Sequence, residues 1–109
     1  MSELTQKRCV PCEGGIPALE KTELDRFLSQ VSGWSFSGKW ITKEFRFKNF
    51  VEAMKLVNRA AELAEEEGHH PDIHIHYNRV RFDIWTHAID GLSENDFILA
   101  AKIDGLQSA

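Results

Sequence analysis

The sequence predicts an α+β fold, a two-layer sandwich in which a four-stranded antiparallel sheet carries three helices on one face. Residues 34–47 and 72–87 each alternate apolar and polar side chains about a short turn, a pattern typical of a β-hairpin. Residues 49–68 between them have helical periodicity, and shorter helical patterns precede the first hairpin and follow the second. Two hairpins joined by a helix predict one antiparallel sheet with its helices gathered on one side.

Length and composition indicate a single soluble domain. The chain has 109 residues and a net charge of -4, so it lacks the basic surface that nucleic-acid binding requires. No apolar run approaches the roughly 20 residues of a membrane span. The first ten residues contain no apolar signal-peptide core, and we expect a cytoplasmic location.

Residues 1–18 are polar and contain proline and glycine, and we expect a flexible arm before a single domain at 19–109. The arm holds both cysteines, Cys9 and Cys12, in the sequence KRCVPCEGG. A helix that would activate Cys9 is disfavoured by Pro11, and a structural zinc site would need two further ligands. A solvated segment, a labile disulfide and a metal or partner contact remain as alternatives.

The first helix and first hairpin occupy residues 22–47. One helical face is formed by Leu24, Phe27, Leu28 and Val31. Thr22 with Asp25 resembles a capping box, and Gly33 ends the element. Ser37-Gly38 is a turn signal, and the strand after it places Ile41, Phe45 and Phe47 on one face.

The long helix has the clearest boundaries. Asn49 is a good N-cap with Glu52 as its reciprocal partner. Gly68 stands where a left-handed residue ends a helix, and Pro71 forbids continuation.

The second hairpin is predicted to turn at Asn78-Arg79, before a last helix that starts at Ser93 with Asp96 as its capping partner. The side chains predicted to face the core are Ile73, Ile75, Tyr77, Val80, Phe82, Ile84 and Thr86. The opposite face would carry Trp40, Trp85, Arg81, His74 and His76. Two tryptophans there indicate either cross-strand aromatic packing or a surface covered by another subunit.

Four of the five histidines fall between residues 69 and 76. His74 and His76 share one strand face and could supply two metal ligands, but no third ligand is evident, and we expect exposed strand residues. His69 and His70 follow a helix end and His87 follows a strand, positions where side chains converge on clefts. Histidine suits both proton donation and acceptance near neutral pH, so acid/base catalysis is the alternative for these three.

The run EEEGHHPDIHIHYNRVRFDIWTHAIDGLSENDF resembles the signature of the pterin-4a-carbinolamine dehydratase family. In that signature an acid is followed after three residues by His-His-Pro, after five or six more by an aromatic residue, and after nine more by a histidine. An Asp comes eight or more residues later. Glu65, the run 69–71, Tyr77, His87 and Asp96 match them. The resemblance covers about residues 19–105. Gly68 is a departure, because some members place an acid directly before His-His-Pro.

The resemblance implies a hydro-lyase that removes water from 4a-hydroxytetrahydropterin, giving quinonoid dihydropterin and recycling a pterin cofactor. It implies His69, His70 and His87 as catalytic residues. Glu65, Trp34, Pro71 and Thr86 are the implied substrate-binding residues, and Asp96 is interpreted as a helix cap. The pterin is the substrate, so no cofactor and no metal are expected. The implied assembly is a homodimer or homotetramer, with no nucleic-acid or membrane partner.

Two alternatives stay open. Members of the family can act as dimerisation partners of a transcription factor, so a non-catalytic binding module is the first. A pterin-handling protein linked to molybdenum cofactor metabolism is the second.

Overall fold

The computed structural model describes residues 3–7, 9 and 18–107. The helices are a short 3-10 helix at Glu3–Gln6, α1 at Lys21–Leu28, α2 at Phe50–Glu67, a second 3-10 helix at His87–Ile89 and α3 at Glu94–Gln107. The strands are β1 at Ser35–Phe36, β2 at Ile41–Arg46, β3 at Asp72–His76 and β4 at Arg79–Ile84.

The four strands form one antiparallel sheet in the order β1-β2-β4-β3, which confirms the predicted fold class. β4 lies in the middle and pairs with β2 from Ile41↔Ile84 to Arg46↔Arg79, so the two hairpins meet along their second strands. The inner face of these strands packs in one core with buried residues of the helices. The strand residues of this core are Ile41, Phe45, Val80, Phe82 and Ile84. No helix in the described residues is long and apolar enough to cross a membrane.

Helix α2 has the predicted ends. The Asn49 side chain accepts a hydrogen bond from the Glu52 backbone N–H at 3.0 Å, and Gly68 adopts a left-handed φ of 66°. Helix α1 does not have the predicted start. It begins at Lys21, its N-cap residue is Glu20, and no side chain makes a capping hydrogen bond. The Asp25 carboxylate instead accepts from Lys21 at 2.9 Å, so the Thr22 capping box was a wrong prediction.

The second hairpin turns one residue earlier than predicted. His76 pairs with Arg79, so the turn is Tyr77-Asn78, and Tyr77 takes a φ of 51°. Tyr77 is therefore 65% exposed, and Ile75 on the edge strand β3 is 39% exposed. The prediction that both face the core was wrong, because a sheet edge and a turn leave these side chains in solvent.

The described part of the N-terminal segment packs on the domain, in contrast to the expected flexible arm. Leu4 is 1% exposed within the core, and the Cys9 backbone N–H donates to Glu67 at 2.8 Å. Glu67 in turn accepts from Lys102 of α3 at 2.7 Å. Burial, together with the negative charge of Glu67, raises the pKa of the Cys9 thiol to about 12. Cys12 lies outside the described residues, and the domain boundary at residue 18 stays a prediction.

The outer face of the sheet contains one buried carboxylate. Asp83 is 6% exposed and accepts hydrogen bonds from Thr42 at 2.7 Å and from His74 at 3.0 Å, while the Arg81 guanidinium lies 3.3 Å away. His74 is thus half-buried in an ion-pair cluster, and His76 is exposed.

Candidate active site

The C-terminal end of α2 positions the two adjacent histidines. The left-handed Gly68 reverses the chain, and the His69 backbone N–H bonds back to the Ala64 carbonyl at 3.2 Å. β3 starts at Asp72, so His69, His70 and Pro71 form a short rigid connection between helix and sheet. The positive φ at Gly68 favours glycine, which accounts for that residue before the histidines.

His69 is held by a buried carboxylate. Its Nε2 atom lies 2.6 Å from Oδ1 of Asp96, and the side chains are 12% and 0% exposed. Oδ2 of Asp96 accepts from the Thr86 hydroxyl and from the Ser93 backbone N–H, both at 2.8 Å. Asp96 therefore caps α3, as predicted, and in addition fixes the orientation of the His69 ring.

His70 and its partner are more exposed. The Nε2 atom of His70 lies 2.6 Å from Oε2 of Glu65, one turn earlier on α2. The two side chains are 59% and 79% exposed, so solvent weakens this pair. Its main effect is to orient the His70 ring.

His87 lies at the start of the second 3-10 helix, just past the end of β4. Its ring centroid is 4.0 Å from the Trp85 ring, with the two planes tilted by 35°. The loop that bears His87 is closed at its base, because Thr86 and Gly91 pair as an isolated antiparallel bridge. Asp90 completes the loop in a left-handed conformation with φ 52°.

These elements enclose a cleft of about 420 Å³. It is lined by Gly68, His69, His70, Pro71, Asp72, Trp85, Thr86, His87, Ala88 and Asn95. The volume is within the range of small-molecule sites, roughly 300–1,000 Å³. The three histidines predicted to be catalytic thus share one cleft with Pro71 and Thr86.

Two of the predicted substrate-binding residues do not line the cleft. Trp34 is 5% exposed in the core, and its indole N–H donates to Asp104 at 3.1 Å. Glu65 stands behind His70 and reaches the cleft only through that histidine. Substrate contact by either residue stays a prediction.

Trp85, Asp72 and Asn95 are among the lining residues that sequence reasoning missed. Trp85 and His87 are two apart at the end of a strand, a spacing that would have indicated a shared side. No sequence pattern pointed to Asp72 or Asn95. Each is next to a residue of the family signature, Pro71 and Asp96, but is not itself part of that signature.

The arrangement suits proton transfer at a small polar substrate. Three imidazoles line one opening, and one of them is backed by a buried carboxylate. Imidazole is the side chain most often used for general acid/base catalysis. Among the described residues, no group of three or more His, Cys, Asp or Glu side chains is placed to hold a metal ion. His74 and His76, on the outer sheet face, do not line this cleft.

Comparisons with known proteins agree on one family. A family model described as Pterin 4 alpha carbinolamine dehydratase matches residues 17–106. Proteins named "putative pterin-4-alpha-carbinolamine dehydratase" are 50% identical in Rubrobacter xylanophilus and 49% identical in Nitrosospira multiformis. Each match covers 97% of this chain, with 100% and 94% of the respective relatives.

Solved structures of similar proteins share the fold. A transcriptional coactivator/pterin dehydratase from Brucella melitensis is 34% identical with a TM-score of 0.78, covering 82% of this chain and 97% of that one. A pterin dehydratase-like protein identified as a RuBisCO assembly factor in the alpha-carboxysome is 25% identical with a TM-score of 0.61. It covers 71% of this chain and 92% of its own.

Proposed function

The chain belongs to the pterin 4 alpha carbinolamine dehydratase family, and on that premise we propose that it converts 4a-hydroxytetrahydropterin to quinonoid dihydropterin and water. The bond between C4a and the hydroxyl oxygen breaks, and the hydroxyl leaves as water with a proton from an acid. A ring N–H gives its proton to a base as that nitrogen forms a double bond to C4a. The observation that supports this chemistry is the meeting of three histidines in one cleft, with a buried carboxylate behind one of them.

His69 is a proton-transfer residue in this proposal. Asp96 lies among donors, the Thr86 hydroxyl and the Ser93 N–H, so a carboxylate there accepts a third bond from Nε2–H of His69. This fixes the tautomer of the neutral ring and leaves Nδ1 to exchange a proton with the substrate. A buried carboxylate also stabilises the imidazolium that forms when Nδ1 accepts a proton.

His87 is the second proton-transfer residue in this proposal, and His70 orients the pterin. Glu65 supports this role of His70 by holding its ring. Pro71 and Thr86 bound the cleft, and Thr86 also donates to Asp96. General acid and base assistance contributes roughly 10²–10⁴-fold for each group.

Both steps are proton transfers, so the proposed reaction needs neither a metal nor a redox cofactor. We expect activity to persist in purified protein treated with a strong chelator. Activity that is lost with chelator and restored by zinc would contradict this. We also propose a homodimer or homotetramer, which light scattering would test.

The assay is dehydration of 4a-hydroxytetrahydropterin by purified His69→Ala and His87→Ala variants. We expect each variant to lose at least about 100-fold in kcat while remaining folded by circular dichroism. His76→Ala is the matched control, because His76 is exposed on the edge strand and outside the cleft. Wild-type rates in both cleft variants would refute the catalytic assignment.

A binding function is a second candidate, favoured by the coactivator and assembly-factor descriptions of the two solved structures. If this chain were only a binding module, the three cleft histidines would be dispensable. Capture of a protein partner by wild-type and His87→Ala chains alike, without turnover by either, would favour it over the dehydratase. A role in another pterin pathway would be indicated by turnover of a different pterin.

A further inference from the structure

The histidines of the cleft are held in different ways. His69 and His70 each contact a carboxylate, from Asp96 and Glu65, at 2.6 Å. Within the described part of the chain, no hydrogen bond holds the side chain of His87. Its contact is the ring of Trp85, with the two centroids 4.0 Å apart.

Trp85 is itself held by a residue from another part of the chain. The Lys39 ammonium, in the turn between β1 and β2, lies 5.2 Å from the centroid of the Trp85 ring. The same ammonium pairs with Oδ1 of Asp90 at 2.9 Å. Trp85 precedes the His87 loop and Asp90 ends it, so Lys39 contacts the loop on both sides of the histidine.

We propose that Trp85 and Lys39 are positioning residues that set the orientation of the His87 imidazole in the cleft, an inference that rests on the proposed dehydratase function. Trp85 supplies the surface against which the imidazole packs. Lys39 acts through Trp85 and Asp90, because it restricts the indole and the end of the loop together.

The backbone alone does not fix the His87 ring. The Thr86–Gly91 bridge closes the loop at its base, but His87 is exposed, and an exposed side chain samples several rotamers on the nanosecond scale. A flat indole at 4.0 Å removes the rotamers that would collide with it. Holding a proton-transfer group in one orientation raises the rate without strengthening substrate binding.

A positioning role for Trp85 and Lys39 predicts that their loss lowers kcat with little change in KM. Trp85→Leu removes the ring and is expected to lower kcat by about 10- to 100-fold, whereas Trp85→Phe keeps a ring and recovers most of the rate. Lys39→Met is expected to lower kcat about two- to fivefold, the size of an exposed cation–π contact, and Lys39→Arg to restore it. Lys21→Met is the control, since Lys21 pairs with Asp25 on α1 away from the cleft.

A nuclear magnetic resonance measurement reads the His87 ring independently of turnover. In the wild-type chain the Trp85 ring current is expected to shift the His87 ring protons upfield, with the signal assigned by its loss in His87→Gln. The shift is expected to vanish in Trp85→Leu, to decrease in Lys39→Met and to be unchanged in Lys21→Met.

The two readouts separate failure of the inference from failure of the proposed function. An inactive wild-type chain with upfield-shifted His87 protons would refute the dehydratase but support the Trp85 contact. His87 protons that do not respond to Trp85→Leu would overturn the positioning role. A Trp85→Leu variant with raised KM and wild-type kcat would overturn it also, because it would place Trp85 in substrate binding.

Discussion

The carboxylate of Asp96 offers the sharpest test of how the cleft works. Asp96→Asn conserves shape and removes one acceptor, in a side chain that is fully buried. The amide oxygen can still accept from the Thr86 hydroxyl and the Ser93 N–H, now at 2.8 Å. The amide NH₂ group then faces Nε2 of His69, and a donor at that position requires Nε2 to become an acceptor.

The expected loss of activity follows from that exchange. With Nε2 as an acceptor, the His69 proton moves to Nδ1, so the neutral ring presents a donor to the cleft where the proposed reaction needs an acceptor. Loss of one general acid/base group corresponds to about 10²–10⁴ in kcat, or roughly 3–5 kcal/mol of transition-state stabilisation. KM is expected to change little, because Asp96 does not line the cleft.

Stability responds less than activity. Asp96→Asn weakens the hydrogen bond to His69 and makes the acceptor of the hydrogen bonds from Thr86 and Ser93 uncharged. The free energy of unfolding is expected to fall by about 1–3 kcal/mol. Helix α3 retains its cap, since the amide oxygen replaces Oδ2 as the acceptor from Ser93. The variant is therefore expected to fold, with a lower midpoint in a urea titration.

Asp83→Asn is the matched control. Asp83 is also a buried carboxylate that contacts a histidine, His74, at 3.0 Å, but it lies on the outer sheet face. This variant is expected to lose stability by a similar amount and to keep its turnover. The role assigned to Asp96 would be refuted if Asp96→Asn kept the wild-type kcat. It would also be refuted if Asp83→Asn and Asp96→Asn lowered kcat equally.

Two further predictions concern the N-terminal segment. Leu4→Ala is expected to lower the free energy of unfolding by about 2–5 kcal/mol, as for other buried core leucines. Ile75→Ala, on the exposed sheet edge, is expected to lower it by less. Urea titration of both variants measures the two changes in unfolding free energy, and equal changes would contradict the prediction. Burial first, and Glu67 second, raise the pKa of the Cys9 thiol from 9.0 to about 12. The contribution of the thiol to folding stability is therefore fully present below pH 9 and is lost as pH rises towards 12. Wild-type stability should therefore fall more steeply than that of Cys9→Ser between these values, and parallel curves would contradict it.

Local signals predicted both ends of α2 and the start of α3. Asn49 caps α2 through its side chain, Gly68 ends the helix with a positive φ, and Asp96 accepts from Ser93 at the start of α3. Each prediction depended on contacts within three or four residues, which the sequence specifies directly. The apolar alternation of β4 was equally reliable, because this central strand buries Val80, Phe82 and Ile84.

Predictions that depended on neighbours distant in sequence were less successful. Strand β3 lies at the sheet edge, so its alternating residues are only partly covered, and alternation alone does not distinguish an edge from a centre. The turn at Tyr77-Asn78 uses a bulky residue at positive φ, which turn preferences disfavour. Burial of Leu4 depends on α3, about ninety residues later, and no local pattern announces it.

The residues of the cleft depend both on local sequence signals and on contacts between residues that are distant in sequence. The spacing of the signature identified His69, His70 and His87, but the interpretation of Asp96 as a cap captured half of its contacts. One of its oxygens serves the backbone of α3 and the other serves His69, so one buried carboxylate couples the start of a helix to the orientation of an imidazole. A side chain that carries both duties cannot be exchanged for an ordinary cap such as serine without releasing the histidine.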